Sequence, residues 1–444
     1  MIVPRNRLLL WVAFIVLPFA AVAGTIPGTL TLSALAVGGF LAAVVVDAAL
    51  ARGQLAGVRV ELPEVVRLQK DRPSLLEVRV HNEALAERRL RLGFAFPLEL
   101  GAEFDDRTAL LPAETAVSRM EWSLTPNKRG QYRLAQAYLE ALSPLGFWAV
   151  HKVQPVSAEL RVYPNLFTER KNVAALFLRR GNLGARAHRQ SGQGRDFEKL
   201  REYVPGDSYE EIHWKASAKR GHPVTKVFQV ERTQEVYVIV DASRLTAREV
   251  AVKDTRETAL ERFVTAALIL GLAAEQQGDQ FGLITFGDRI LSFVRAKNGE
   301  AHYGACRDRL YTLQPQSVTP DFDELCSFIR LRLRKRALLI FLTALDDSLI
   351  AESFVKASDL LSRQHLLVVN MLQPPGALPL FSGEAVAQTD DLYSRLGRHL
   401  QWNSLRELQK VLKRRGVRFS LLDPEKLAGQ VVTQHADIKR RQLF

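Results

Sequence analysis

The chain has 444 residues, enough for two or three domains and a sizeable core. Its formal net charge of +13 suits an anionic partner, either nucleic acid or the negatively charged cytoplasmic face of a membrane. Two cysteines, Cys306 and Cys326, exclude a disulfide scaffold and fit a reducing compartment; both read as buried apolar thiols.

Leu8 to Ala23 and Leu30 to Val46 are almost wholly apolar and are joined by the short turn Gly24-Thr25-Ile26-Pro27-Gly28. This predicts a helical hairpin that crosses a membrane twice. Arg5 and Arg7 before it, with Arg52 and Arg59 after it, place both flanks in the cytoplasm by charge. The expected location is therefore the inner (cytoplasmic) membrane, with the chain from Gly53 onward in the cytoplasm. A cleaved signal peptide ending at Ala21-Val22-Ala23 is the alternative for the first run, and the second would still cross back. Asp47, at the inner end of the second helix, reads as an interface marker.

From about Val58 to Val162 the pattern alternates with period two, as in Leu76-Glu77-Val78-Arg79-Val80, with turn signals such as Asn127-Lys128-Arg129-Gly130. It predicts an antiparallel β-sandwich that spaces or binds protein. A connector rich in Arg, Gly and Gln follows, Arg179 to Gly194; a solvated basic loop is its default reading, with anionic lipid or RNA binding as the alternative.

The next segment combines a Pro205-Gly206-Asp207 turn with Ser208 and Glu211 spaced as a capping box, predicting a helix from Tyr209 to about Lys219. That helix would put Ile212 and Ala216 on one face and Glu211, Lys215 and Lys219 in a charged stripe. Arg201-Glu202-Tyr203-Val204-Pro205-Gly206-Asp207 followed by Trp214-Lys215-Ala216-Ser217-Ala218-Lys219 closely resembles the signature of the "domain of unknown function 58" family, associated with MoxR ATPases. His213 stands where that family frequently has Asp, and Ser143-Pro144-Leu145-Gly146-Phe147-Trp148 resembles the family's proline-glycine-aromatic segment. The resemblance implies a MoxR-type AAA+ ATPase as partner. It makes Arg201, Tyr203, Pro205, Gly206, Asp207, Trp214, Lys215 and Ser217 the signature residues for partner binding.

From Glu235 onward, apolar strands alternate with helices, predicting a mainly parallel sheet covered on both faces. Strands are expected at Val236 to Val240, Gln280 to Phe286, Ala337 to Leu342, His365 to Leu372 and Val417 to Leu422. Helices are expected around Thr255 to Gln277, His302 to Leu313, Asp321 to Arg334 and up to Arg415. The resemblance implies a von Willebrand factor A-like (vWA-like) domain, whose sheet end holds magnesium through an Asp-x-Ser-x-Ser loop, a distant Thr and a distant Asp. Asp241 and Ser243 match the loop, but Leu245 replaces its last Ser. Thr319 is the candidate Thr. Ala344 replaces the expected Asp, leaving Asp346 to reach in, so the site is degenerate, and the preferred reading is that Asp241 and Ser243 cap the next helix or hold the loop. Arg330 to Arg336 reads as a basic helix end.

The sequence lacks a phosphate loop, an H-E-x-x-H motif and a G-x-S-x-G elbow. The expected architecture is a transmembrane hairpin (1–52), a β-sandwich-like module (53–165), a basic linker with the signature (166–234) and a vWA-like α/β domain (235–444). The expected function is a non-catalytic, membrane-anchored adaptor. The alternatives are nucleic-acid or anionic-lipid binding through basic segments, with no specific nucleic acid expected, and a metal-dependent hydrolase using Asp241, Asp346 and His213.

Overall fold

Two helices open the chain, Asn6–Thr25 and Leu30–Ala51, both long and apolar enough to cross a membrane. Leu9, Phe14, Leu35 and Val45 among their side chains face outward. A soluble core helix would bury that surface; these helices are matched to a bilayer interior. The structure is a computed structural model. It describes residues 1–26, 28–167, 169–172, 174, 191–205, 208–229, 234–252, 255–380 and 389–441. Arg179, Arg180, Arg186 and Arg189 of the basic connector, with Gly206 and Asp207 of the signature, lie outside the described residues. The chain divides into two compact units, Met1–Asn165 and Leu166–Phe444.

In the first unit two sheets enclose one core. One sheet runs Ile2–Pro4, Trp148–Tyr163, Gly130–Leu142, Arg88–Phe94, Asp106–Leu111, with Val65–Gln69 also beside Trp148–Tyr163. The other runs Val58–Glu61, Ser74–Asn82, Val117–Leu124. Alternate residues such as Leu76, Val78 and Val80 point inward and are fully buried, as the period-two pattern requires. The pairing is antiparallel except for Val65–Gln69, which runs parallel to Trp148–Tyr163.

Two features tie the hairpin to this sandwich. Ala51, the last residue of the second helix, and Leu55, in the turn beyond it, are part of the sandwich core, and the Arg88 guanidinium donates to the Gln54 and Ala56 carbonyls at 2.9 and 2.7 Å. The boundary read at residue 52 thus falls inside one compact unit. In addition, Ile2–Pro4, before the first helix, pairs antiparallel with Trp148 to Val150, far beyond the second. A strand and its neighbour lie on one side of a bilayer, so this pairing fits two crossings.

The second unit is built on a six-stranded sheet in the order Ile290–Lys297, Gln280–Phe286, Glu235–Asp241, Leu338–Leu342, Leu366–Leu372, Arg418–Leu422. All neighbours are parallel except the edge strand Ile290–Lys297. The strand Glu235–Asp241 is central, buried on both faces, and reads as an uninterrupted apolar run for that reason. Ala259–Gln276 and Leu427–Arg440 cover one face, while Phe322–Arg332, Ser348–Ser362 and part of Thr389–Arg414 cover the other.

Several expected elements are corrected. The helix read from Thr255 begins at Ala259, after a hairpin of Glu249–Val252 and Thr255–Thr258; Thr258 caps it by accepting from the Glu261 N–H. The strand Ile290–Lys297 and the helix Ser348–Ser362 were not anticipated. Residues 191–194, read as connector, belong to the strand Ser191–Glu202.

Candidate functional site

The signature forms a small subdomain on the hairpin of Ser191–Glu202 and Val224–Gln229. The single helix expected from Tyr209 does not form. A 3-10 turn, Tyr209–Glu211, is followed by extended Ile212, and the α-helix runs only from Trp214 to Arg220. Ile212 is buried and bridges to Thr225, which breaks the helix and removes the continuous Glu211-Lys215-Lys219 stripe. Ser208 accepts from the Glu210 N–H rather than completing a box with Glu211.

His213 holds the N-cap of the short helix: its Nδ1 accepts the Ala216 N–H at 3.1 Å. That is the task an Asp carboxyl performs at a cap, which accounts for His in that position. Ser217 Oγ donates to the His213 carbonyl and accepts the Val224 N–H, pinning the helix to the strand. The Tyr203 N–H donates to the Pro223 carbonyl, and its ring stacks on Tyr209 with centroids 6.0 Å apart. Arg201 Nη1 donates to the Glu202 carbonyl, while Pro205 and Lys215 are exposed. The outward aromatics are large: Tyr209 is 73% exposed and Trp214 68%, with Val204 at 53%.

At the carboxyl end of the sheet, Asp241 is wholly buried. Thr343 Oγ1 donates to its Oδ2 at 2.6 Å, and the Ser243 N–H donates to its Oδ1 at 2.8 Å. Burial pushes the Asp241 carboxyl up from its ordinary value, against the hydrogen bonds from Thr343 and Ser243 that pull it down. Ser243 is buried beside it. Gln316 N–H donates to the Ala242 carbonyl and Arg244 N–H to the Val318 carbonyl, so the loop bearing Thr319 does lie against the Asp241 loop; Thr319 itself is exposed.

Asp346 is engaged elsewhere. Arg248 Nη1 reaches its Oδ2 at 2.5 Å, and Arg244 Nη2 lies 3.4 Å from Asp347 Oδ2. Asp347 also caps the helix Ser348–Ser362 by accepting the Leu349 and Ile350 N–H groups. Among the described residues no three His, Cys, Asp or Glu side chains gather as a metal cluster. One candidate carboxyl is hydrogen-bonded at both oxygens and the other is ion-paired. Ser243 Oγ and Asp346 Oδ1, by contrast, are buried without a hydrogen-bond partner among the described residues, so the oxygens left to a cation such as magnesium are these two and not the paired ones. Sequence reasoning missed Thr343, Arg244 and Arg248; Arg244 directly follows Ser243 and Arg248 lies five residues after it, so both were legible as charge placed where a cation site needs none.

The catalytic reading of Asp241, Asp346 and His213 meets the same geometry. Asp346 is ion-paired to Arg248, His213 Nδ1 is used as a cap, and Asp241 is fully buried.

Order and chemistry together define a vWA-like α/β domain, with the strand order and single antiparallel edge described above, joined to a β-sandwich and an apolar helical hairpin. Residues 199–383 match the family model described as "Protein of unknown function DUF58", so the resemblance read from the signature is borne out over that span. No curated protein sequence matches the chain. Among solved structures, it is similar to BatB from Bacteroides thetaiotaomicron, at 15% identity and a TM-score of 0.29, over 47% of this chain and 99% of that one. It is also similar to an aerotolerance-related membrane protein from Bacteroides fragilis, at 15% identity and a TM-score of 0.28, over 46% and 98%. The SpRpn10 VWA domain aligns at 10% identity and a TM-score of 0.27, over 46% and 95%.

Proposed function

We propose that the protein is a membrane-anchored, non-catalytic adaptor whose DUF58 signature presents an aromatic face to a cytoplasmic protein partner. The observation that carries this reading is the exposure of Trp214 and Tyr209 on a subdomain whose backbone is pinned by Ser217, His213 and Tyr203. Large aromatics held rigidly in water cost solubility, and they are the side chains that most often anchor protein interfaces. The partner implied by the family resemblance is a MoxR-type AAA+ ATPase, in assembly or remodelling of other proteins; ATP hydrolysis belongs to that partner. The soluble units face the cytoplasm of a two-pass inner-membrane protein. Arg5, Arg7, Arg52 and Arg59 support that side, and the pairing of Ile2–Pro4 with the sandwich supports the even number of crossings. This reading requires no metal at the sheet end, where Thr343 donates to Asp241 and Arg248 pairs with Asp346.

The test is purification of the full-length protein from native membranes in mild detergent, with identification of co-purifying proteins for wild type, Trp214→Ala and Asp241→Ala, with magnesium and with chelator. An AAA+ ATPase that survives chelation and is lost in Trp214→Ala is the expected result. Loss with chelator and in Asp241→Ala would restore the metal site, and absence of any ATPase from wild type would overturn the adaptor reading.

A further inference from the structure

The helix Thr389–Arg414 follows the family-matched span and has two apolar faces of different fate. Its carboxyl half buries Leu405 and Leu412 against the sheet, with Leu408 packed beside them. Its amino half carries Leu392, Leu396 and Leu400 at intervals of four, with Tyr393 alongside, and these remain 49%, 44%, 60% and 68% exposed. At about 100° per residue the exposed stripe lies well away from the buried one, so the core cannot claim both. Continued along the same face, the i+3/i+4 ladder passes Asn403 and Glu407 and reaches Lys410 and Arg414, all exposed.

We infer that this amino-terminal half is a membrane-surface segment that lays Leu392, Leu396 and Leu400 into the headgroup boundary of an anionic bilayer. Three observations favour lipid as the occupant. The stripe is aliphatic with one Tyr, whose ring and hydroxyl suit the interface between acyl chains and water. Along the whole helix Arg395, Arg398, Arg406, Lys410, Lys413 and Arg414 outnumber Asp390, Asp391 and Glu407; the amino half is balanced, and the excess lies in the carboxyl half, where Lys410 and Arg414 continue the stripe's own face toward anionic headgroups. Finally, the same chain carries two helices apolar and long enough to cross a membrane, so the stripe is tethered to a bilayer and needs only weak intrinsic affinity to engage it. The inference is independent of the adaptor reading: it concerns a different surface and a different class of ligand.

The experiment uses the full-length chain reconstituted into nanodiscs of phosphatidylcholine with or without phosphatidylglycerol. Tyr393→Cys carries an environment-sensitive fluorophore; Cys306 and Cys326 are buried and stay unlabelled in the native state. With phosphatidylglycerol the emission should shift to the blue, brighten several-fold and be quenched by spin-labelled lipid. Raised salt should reverse much of this, because the attraction to charged headgroups is screened. Adding Leu396→Glu and Leu400→Glu, both on the exposed stripe, should leave the label in water without disturbing the core positions Leu405 and Leu412. A label that stays in water in both nanodiscs overturns the inference. So does equal shielding in phosphatidylcholine alone, which removes the charge requirement.

Discussion

Ser143 Oγ donates a hydrogen bond to Asp47 Oδ2 at 2.6 Å, joining the carboxyl end of the second apolar helix to a turn of the β-sandwich nearly a hundred residues later. The same carboxyl accepts the Leu145 N–H at 2.9 Å and the Phe147 N–H at 3.2 Å. Trp148 Nε1 donates to the Val44 carbonyl, and Phe147 meets Phe40 edge to face. Gly146 makes the turn possible with φ of 76°. The Ser143 to Trp148 segment is therefore a clasp, and Asp47 is its latch.

Removing the latch should loosen the hairpin from the sandwich. Asp47→Ala leaves two backbone N–H groups and the Ser143 O–H without an acceptor, a loss of about 3 kcal/mol or more from three donors at 1–3 each. Asp47→Asn retains one acceptor oxygen and should lose less. Thermal unfolding in nanodiscs, with proteolysis of the 143–148 turn as the local readout, should rank wild type above Asn above Ala. Equal stability of all three would mean that the clasp contributes nothing.

His213 as a cap predicts a specific rescue. His213→Ala should cost about 1 kcal/mol, the usual value of a lost N-cap, and His213→Asp should recover it. Amide exchange at Trp214 to Arg220 gives the readout: faster in Ala, and near wild type in Asp. A catalytic role would predict no such rescue.

Arg248 predicts how the sheet end responds to metal. In wild type, magnesium or chelator should leave the Tm unchanged. Arg248→Ala leaves the Asp346 carboxyl, only 12% exposed, without its partner and should destabilise by about 2 kcal/mol, less than a fully buried pair because Arg248 itself is 31% exposed. Magnesium-dependent stabilisation of wild type would show that the ligands can rearrange around an ion.

Much of this architecture was legible because its signals are local. The apolar runs, the period-two strands and the parallel strands Gln280–Phe286 and Leu366–Leu372 each follow from the side chains within them. The edge strand Ile290–Lys297 was missed because its residues are half-buried beside the antiparallel partner and so lack the continuous apolar run of the central strands. The Tyr209 to Lys219 helix was misread because a long-range bridge, Ile212 to Thr225, outweighs local propensity. At the sheet end, Asp241 and Ser243 were visible in the chain, but the hydrogen bond from Thr343 to Asp241 and the capture of Asp346 by Arg248 depend on contacts about a hundred residues apart. Asp47 was placed correctly at the helix end, while its three donors could not be read from its neighbours.

His365 gives the pH dependence. It is 3% exposed, directly before the strand Leu366–Leu372, and neither ring nitrogen meets a hydrogen-bond partner among the described residues. Burial lowers its pKa from the ordinary 6.5. The unfolded chain then binds the proton first as pH falls, so this contribution is intact above 6.5 and is lost as pH drops from 6.5 through the lowered folded value. Wild type should lose Tm between pH 7 and 5 relative to His365→Leu, which cannot titrate. Parallel curves for the two proteins would remove His365 as the source.

Gly282 tests how tightly the central sheet is assembled. It lies on the strand Gln280–Phe286 opposite Tyr237 of the central strand, and a Cβ there would sit 2.4 Å from the Tyr237 ring and 2.9 Å from the Ala296 nitrogen. Tyr237 cannot retreat freely, because its hydroxyl oxygen accepts the Ala296 N–H and its ring stacks on Phe293. The missing side chain is therefore the space into which the tyrosine packs. Gly282→Ala should cost about 1–3 kcal/mol by overpacking. The double variant Gly282→Ala, Tyr237→Leu should cost less than the sum of the two single changes, because removing the ring creates the room the methyl needs. Strict additivity in unfolding measurements would show that the strands separate to admit the methyl and that the Tyr237 contact does not set their spacing.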